Sequence, residues 1–110
     1  MKGTNLGEFE ELVLLTVGIL QEQAYSLQVT REIKERTKRK VAFGVVHSAL
    51  NRLENKGFLR SKMSEATKER GGRRKRIYSI SGAGKKVLLK ARNQREELWQ
   101  LMPQSIFGKI

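Results

Sequence analysis

Cysteine is absent from the 110 residues, and histidine, proline and tryptophan each occur once. The missing thiols exclude disulfides, thiol catalysis and cysteine-ligated zinc. A single imidazole beside them leaves no set of nitrogen and sulfur ligands for a metal. The longest apolar run, Leu12 to Leu20, is interrupted by Thr16 and falls far short of the ~20 residues a membrane-spanning helix needs. The opening stretch, Met1 to Asn5, is polar and does not read as a secretory leader. No nucleophile with a base at motif spacing and no acid/base pair stands out. The expectation is therefore a soluble, cytoplasmic, single-domain protein that is not an enzyme and needs no cofactor or membrane.

Negative charge is also scarce. The chain carries 23 Lys and Arg against 11 Asp and Glu, a net charge of +12. Its distribution is uneven: residues 1–30 hold one Lys and four Glu, so they are net −3 and the rest is net +15. Confined positive charge is the electrostatic footprint of a polyanion binder, with DNA, RNA and an anionic membrane as the candidates.

Periodicity places the elements. Leu6 to Gln23 reads as a first helix that is apolar nearly all round, so it should be covered on more than one side. A partner subunit can supply the second cover. Glu8, Glu10 and Glu11 fall in its first turns, where carboxylates favour the helix dipole. Ser26 reads as the cap of a second helix ending near Thr37, with Tyr25, Val29 and Ile33 facing inward. A third helix is predicted from Phe43 to Asn55, with Val46, Leu50 and Leu53 as its core stripe and Gly57 as its stop. Two short helices with a tight connection form a helix-turn-helix pattern. Phe58 to Met63 and Arg76 to Ser81 read as strands joined by a basic, glycine-centred loop, which makes a wing. Ser81 then caps a last helix from Gly82 to about Met102, ended by Pro103. At ~1.5 Å per residue that helix is about 30 Å long, too long for so small a domain to bury. The fold class expected is mainly α with a small β-hairpin: a winged helix-turn-helix unit over residues 1–81, with residues 82–110 as a C-terminal dimerisation helix and short tail.

The wing is the sharpest chemical feature. Lys68, Arg70, Arg73, Arg74, Lys75 and Arg76 oppose a single acid, Glu69. Such clustering repels itself unless phosphates meet it, and arginine suits a narrow groove; the bland alternative is a hairpin kept charged against edge pairing. On the third helix, Val45, His47, Ser48, Asn51 and Arg52 lie off the core stripe and can approach base edges. Lys38, Arg39 and Lys40 can hold the backbone without reading sequence. The lone His47 has no partners for catalysis, so DNA contact or helix packing is its expected use. Gly82-Ala83-Gly84-Lys85 is not a phosphate loop, because Ser79 stands where the first glycine should be and Lys86 where Ser or Thr should be. A homodimer seam is expected from Leu12 and Leu15 with Val87, Ala91, Leu98 and Leu101 or Met102.

Tyr25-Ser26-Leu27-Gln28-Val29 and the continuous run from Gly44 through Ala49-Leu50-Asn51-Arg52-Leu53-Glu54 to Leu59 resemble signature blocks of the PadR family. Gly71-Gly72-Arg73-Arg74-Lys75-Arg76, Tyr78-Ser79-Ile80-Ser81 and Gly84 are similar to its wing and the entry to its last helix. The resemblance spans roughly Leu6 to Met102 and points to the compact subgroup with a short C-terminal helix. It departs where the family usually has Gly and Tyr, here Ser26 and Leu27, and Tyr, here His47. The resemblance implies a homodimeric, often repressing, transcription regulator on a palindromic double-stranded operator. It also implies, by analogy with some relatives, a small aromatic effector, for which Trp99 with Arg95 one turn away is the candidate site; simple burial of Trp99 at the interface is the competing use. A winged-helix module that binds RNA or a protein partner without operator specificity stays open beside it.

Overall fold

The computed structural model describes residues 6–65 and 74–108. The element order is α1 (Glu8–Leu20), a 3-10 turn (Gln21–Gln23), α2 (Ser26–Thr37), α3 (Phe43–Asn55), β1 (Leu59–Met63), β2 (Arg76–Ile80), α4 (Gly82–Leu101) and a closing 3-10 turn (Gln104–Ile106). The chain is thus mainly helical with one antiparallel hairpin, in which Leu59 opposes Ile80, Ser61 opposes Tyr78 and Met63 opposes Arg76.

The core forms where the apolar stripes of three helices meet one face of the hairpin. Val13, Leu14 and Val17 of α1, Val29 and Ile33 of α2, and Val46, Ala49, Leu50 and Leu53 of α3 are buried together with Leu59, Tyr78 and Val87. Alternation along β2 explains why Tyr78 turns inward while Ser79 faces solvent. The turn after α3 is a Schellman closure, with Gly57 N–H bonded to the Glu54 carbonyl and Phe58 N–H to the Leu53 carbonyl, both at 2.9 Å. It requires the positive φ of +86° that Gly57 adopts. Gly84 solves a different problem: a Cβ there would overlap the Phe58 carbonyl, so α4 lies directly on the backbone of the α3–β1 turn. Ser81 locks this contact. Its hydroxyl donates to the Gly57 carbonyl at 2.6 Å and accepts from Gly84 N–H at 3.0 Å, as a cap should.

Two expectations change. The first helix is shorter than Leu6 to Gln23, because Gln21 leaves the helix at φ +54° and the chain tightens into the 3-10 turn. Ser26 does not cap α2. Tyr25 occupies the cap position without a side-chain bond, Ser26 is the first helical residue, and its hydroxyl is used elsewhere.

The fold is elongated. Its principal extents are 59 × 32 × 20 Å and its radius of gyration is 16.7 Å, against about 13 Å for a compact chain of this length. The cause is α4. Gly84, Val87 and Ala91 are buried, and every residue from Arg92 to Leu101 is exposed. Val87 and Ala91, expected at a dimer seam, are covered by the chain itself.

Candidate nucleic-acid interface

The candidate face is built from α3. With Val46, Ala49, Leu50 and Leu53 turned into the core, Phe43, Val45, His47, Ser48, Asn51 and Arg52 are left on the outside. Phe43, His47 and Asn51 follow one another at intervals of four, a single line along the helix surface. The rings of Phe43 and His47 are stacked with centroids 5.7 Å apart and planes within 12°. His47 Nδ1 lies 2.8 Å from the Ser26 hydroxyl at the start of α2. Asn51 Oδ1 accepts from the Tyr78 hydroxyl at 3.3 Å. Burial pushes the Tyr78 phenol above its ordinary pKa and the Glu54 charge adds to this, while Arg76 and a hydrogen bond with Ser26 act in the opposite direction.

Cations border this face on both sides, and they are not equivalent. Lys38 and Lys40 are exposed in the α2–α3 connection. Arg39 between them is held by Glu8 through both terminal nitrogens, at 2.8 and 3.1 Å, and its guanidinium sits over the Phe9 ring. That pairing raises the Arg39 pKa and lowers that of Glu8. Arg52 also turns back, with Nε 3.0 Å from the buried Glu10 carboxylate. Lys56 reaches the same carboxylate at 2.9 Å. Burial by itself would raise the Glu10 pKa, but hydrogen bonds from Lys56, the Gly7 amide and Arg52 outweigh it and hold the group below its usual value. Glu11 meets Arg95 of α4 at 3.6 Å. The first turn of α1 therefore fixes three elements through three carboxylates. Sequence reasoning assigned these acids to the helix dipole and missed the cross-links. A signal existed, since Glu10 falls on the same helix face as Val13, Leu14 and Val17.

On the far side stands the hairpin. Arg74 and Arg76 are exposed, and Arg76 Nη1 donates to Ser61 Oγ at 2.8 Å. Lys75 is part-buried with its ammonium 4.1 Å from the centre of the Tyr25 ring. Ser64 closes the base of the loop: its amide donates to the Lys75 carbonyl at 2.7 Å and its hydroxyl accepts from the Lys75 amide at 2.9 Å. Arg60 and Lys62 of β1, not singled out from sequence, add charge to the same strand pair, with Arg60 exposed. Arg73, with Lys68, Arg70 and the central glycines, lies outside the described residues.

The C-terminal candidates separate into two groups. Leu98, Trp99 and Leu101 are 65%, 60% and 78% exposed, with Leu15 and Ile19 of α1 also open, while Leu12 and Met102 are part-buried. Trp99 is stacked on Phe107, centroids 5.6 Å apart, and the Arg95 guanidinium meets Glu11 at 3.6 Å. Among the described residues no helix is long and apolar enough to cross a membrane.

The same architecture recurs in known proteins. Among solved structures, a PadR-like transcription factor from Bacteroides fragilis superposes with a TM-score of 0.68 at 25% identity, covering 84% of each chain. A PadR family regulator from Clostridium difficile gives 0.67 at 22% identity over 89% of this chain and 98% of that one. One from Eggerthella lenta gives 0.64 at 22% over 84% and 80%. No curated protein matches the sequence. The profile of the transcriptional regulator PadR-like family matches residues 14–90, well over half of the chain. The protein accordingly belongs to the PadR-like family of transcriptional regulators, which are not enzymes.

Proposed function

We propose that the protein binds double-stranded DNA sequence-specifically as a homodimer and represses by occupying its operator. The observation that carries this reading is the exposed line of α3 side chains bordered by cations on both sides. Lys38 and Lys40 on one flank and Arg74 and Arg76 on the other suit the two phosphate walls of a groove, while Arg60 and Lys62 alternate onto the opposite face of the hairpin. Lys75 continues the second flank, and Arg73 is assigned the same role from its place in the basic run alone. Between them Val45 suits a thymine methyl, and His47, Ser48 and Asn51 suit polar base edges. The Oδ1 of Asn51 already accepts from Tyr78, so its amide hydrogens are what it offers to a base. Arg39 and Arg52 act chiefly as struts for α3 through Glu8 and Glu10.

The exposed half of α4 supports dimerisation, because Leu98 and Leu101 leave apolar surface with no cover in one chain. A second copy brings a second α3 and a two-fold operator with it. Within this reading Trp99 is a site for a flat aromatic effector only if the ligand takes the ring face opposite Phe107. Quenching of its fluorescence by planar phenolic acids or aromatic cations, suppressed by operator, is the expected sign. An unresponsive Trp99 across such a panel, with Trp99→Leu binding DNA as wild type does, assigns the ring to packing.

Fluorescence anisotropy with labelled duplexes and RNA tests the main proposal. Tight, salt-dependent binding to a selected duplex, with about a hundredfold or more weaker binding to RNA and to random duplex, is expected near physiological salt. Equal competition by any polyanion favours a general interaction module and contradicts the proposal.

A further inference from the structure

Ser26 and His47 lie 21 residues apart on different helices, yet their side chains meet at 2.8 Å. Neither end of that contact is loose. The Ser26 carbonyl accepts from Thr30 Oγ1 at 2.8 Å, which ties Ser26 into the first turn of α2. The imidazole is stacked on Phe43 one turn earlier in α3, so its plane is fixed as well as its edge. Two restraints, one on the ring face and one on Nδ1, leave Nε2 as the remaining polar atom of the ring.

We propose that Ser26 is a positioning residue for base reading: its hydroxyl orients the His47 imidazole so that Nε2–H is presented to a hydrogen-bond acceptor in the major groove. This rests on the assignment of α3 as the reading helix. When the serine hydroxyl donates to Nδ1, the ring hydrogen resides on Nε2, and a charged ring that donates Nδ1–H to the serine keeps a hydrogen there too; a neutral ring that donates Nδ1–H instead leaves Nε2 an acceptor, suited to the amino group of adenine or cytosine. The arrangement proposed is the first, with Ser26 as donor and His47 a donor toward DNA. The major-groove edges that match it are guanine, with N7 and O6 side by side, and thymine O4, whereas cytosine offers an amino donor and is rejected. Ser26 thus selects among bases without approaching them, and α2 contributes to specificity through a side chain that faces α3.

In vitro selection from a random duplex library, run on full-length wild type, Ser26→Ala, Ser26→Thr, His47→Ala and the Ser26→Ala/His47→Ala pair, tests this. His47→Ala should erase a guanine or thymine preference at one position of each half-site. Ser26→Ala should weaken preference at that same position by about fivefold, with an unchanged thermal midpoint, and Ser26→Thr, which keeps the hydroxyl, should restore it. The double variant should equal His47→Ala alone, since two residues acting through one contact are not additive. Full base preference in Ser26→Ala beside its loss in His47→Ala overturns the positioning role and leaves the reading helix standing. A cytosine at that position, or no effect of His47→Ala while Asn51→Ala alters selection, overturns it too. If His47→Ala, Ser48→Ala and Asn51→Ala all select as wild type does, the assignment of α3 itself fails.

Discussion

Glu10 shows how much one side chain can decide in a chain this small. Its carboxylate is buried, bonds the Gly7 amide at 3.1 Å, and is shared by Arg52 of α3 and Lys56 just beyond it. Because its folded-state pKa is depressed, the stability it contributes is fully present above the ordinary carboxylate pKa and is lost as pH falls through the lower folded value. Urea unfolding between neutral pH and pH ~3 should therefore show a decline below about pH 4.5 that Glu10→Gln reduces. At neutral pH that variant should be about 1–2 kcal/mol less stable, the lower end for charged hydrogen bonds because Arg52 and Lys56 can regain water. Arg74 and Arg76 act on binding instead. Replacing both by Ala should weaken all duplexes alike and flatten the log–log salt dependence by nearly one unit for each phosphate left unneutralised; an unchanged slope places them away from the backbone. Much at this scale was not legible in the sequence. Periodicity separated the outer face of α3 from Val46, Leu50 and Leu53, but it treats each helix alone. Nothing local to Arg39, Arg52 or Ser26 announces Glu8, Glu10 or His47, which lie 21 to 42 residues away.

At the scale of elements, boundaries were readable wherever a single residue type enforces them. Gly57, Ser81 and Pro103 each stop or start a helix by their own chemistry, and α3 and α4 fall where these residues put them. Ser26 failed as a cap signal because Tyr25 can serve at that position and the hydroxyl has a partner across the helix pair. The joint between α3, the hairpin and α4 is the most sensitive place in the fold. Gly84→Ala inserts a methyl against the Phe58 backbone and should cost about 2–3 kcal/mol, as overpacking in a rigid site does. Gly57→Ala, which only forces a positive φ with open space around it, should cost about 1 kcal/mol. Chemical denaturation of the two variants checks the order; equal losses would mean that α4 is free to shift off the turn.

For the whole molecule, the charge asymmetry visible in the sequence translates into position. The acidic first helix ties down Arg39, Arg52, Lys56 and Arg95. The exposed cations of the α2–α3 connection and of the hairpin lie beside the outer face of α3, and Lys85, Lys86, Lys90 and Arg92 carry further charge along α4. The long last helix was also legible, since 20 residues of α4 exceed what this core can cover. Its division into a buried first half and an exposed second half was not, because Val87 and Ala91 share the helical spacing of Leu98. Leu98→Glu with Leu101→Glu should give a folded monomer in sedimentation equilibrium, since both side chains lie in the exposed half. The same variant should bind operator markedly more weakly; a persistent dimer would place the interface elsewhere. The most direct measurement is the selection of bound duplexes by the wild-type chain from a random library, followed by footprinting of the winners. Expected is an inverted repeat with half-site centres about 10 bp apart or a multiple of that, protected on one face of the helix. Recovery of unenriched sequence, or of single half-sites bound as tightly as pairs, would contradict a sequence-specific dimer.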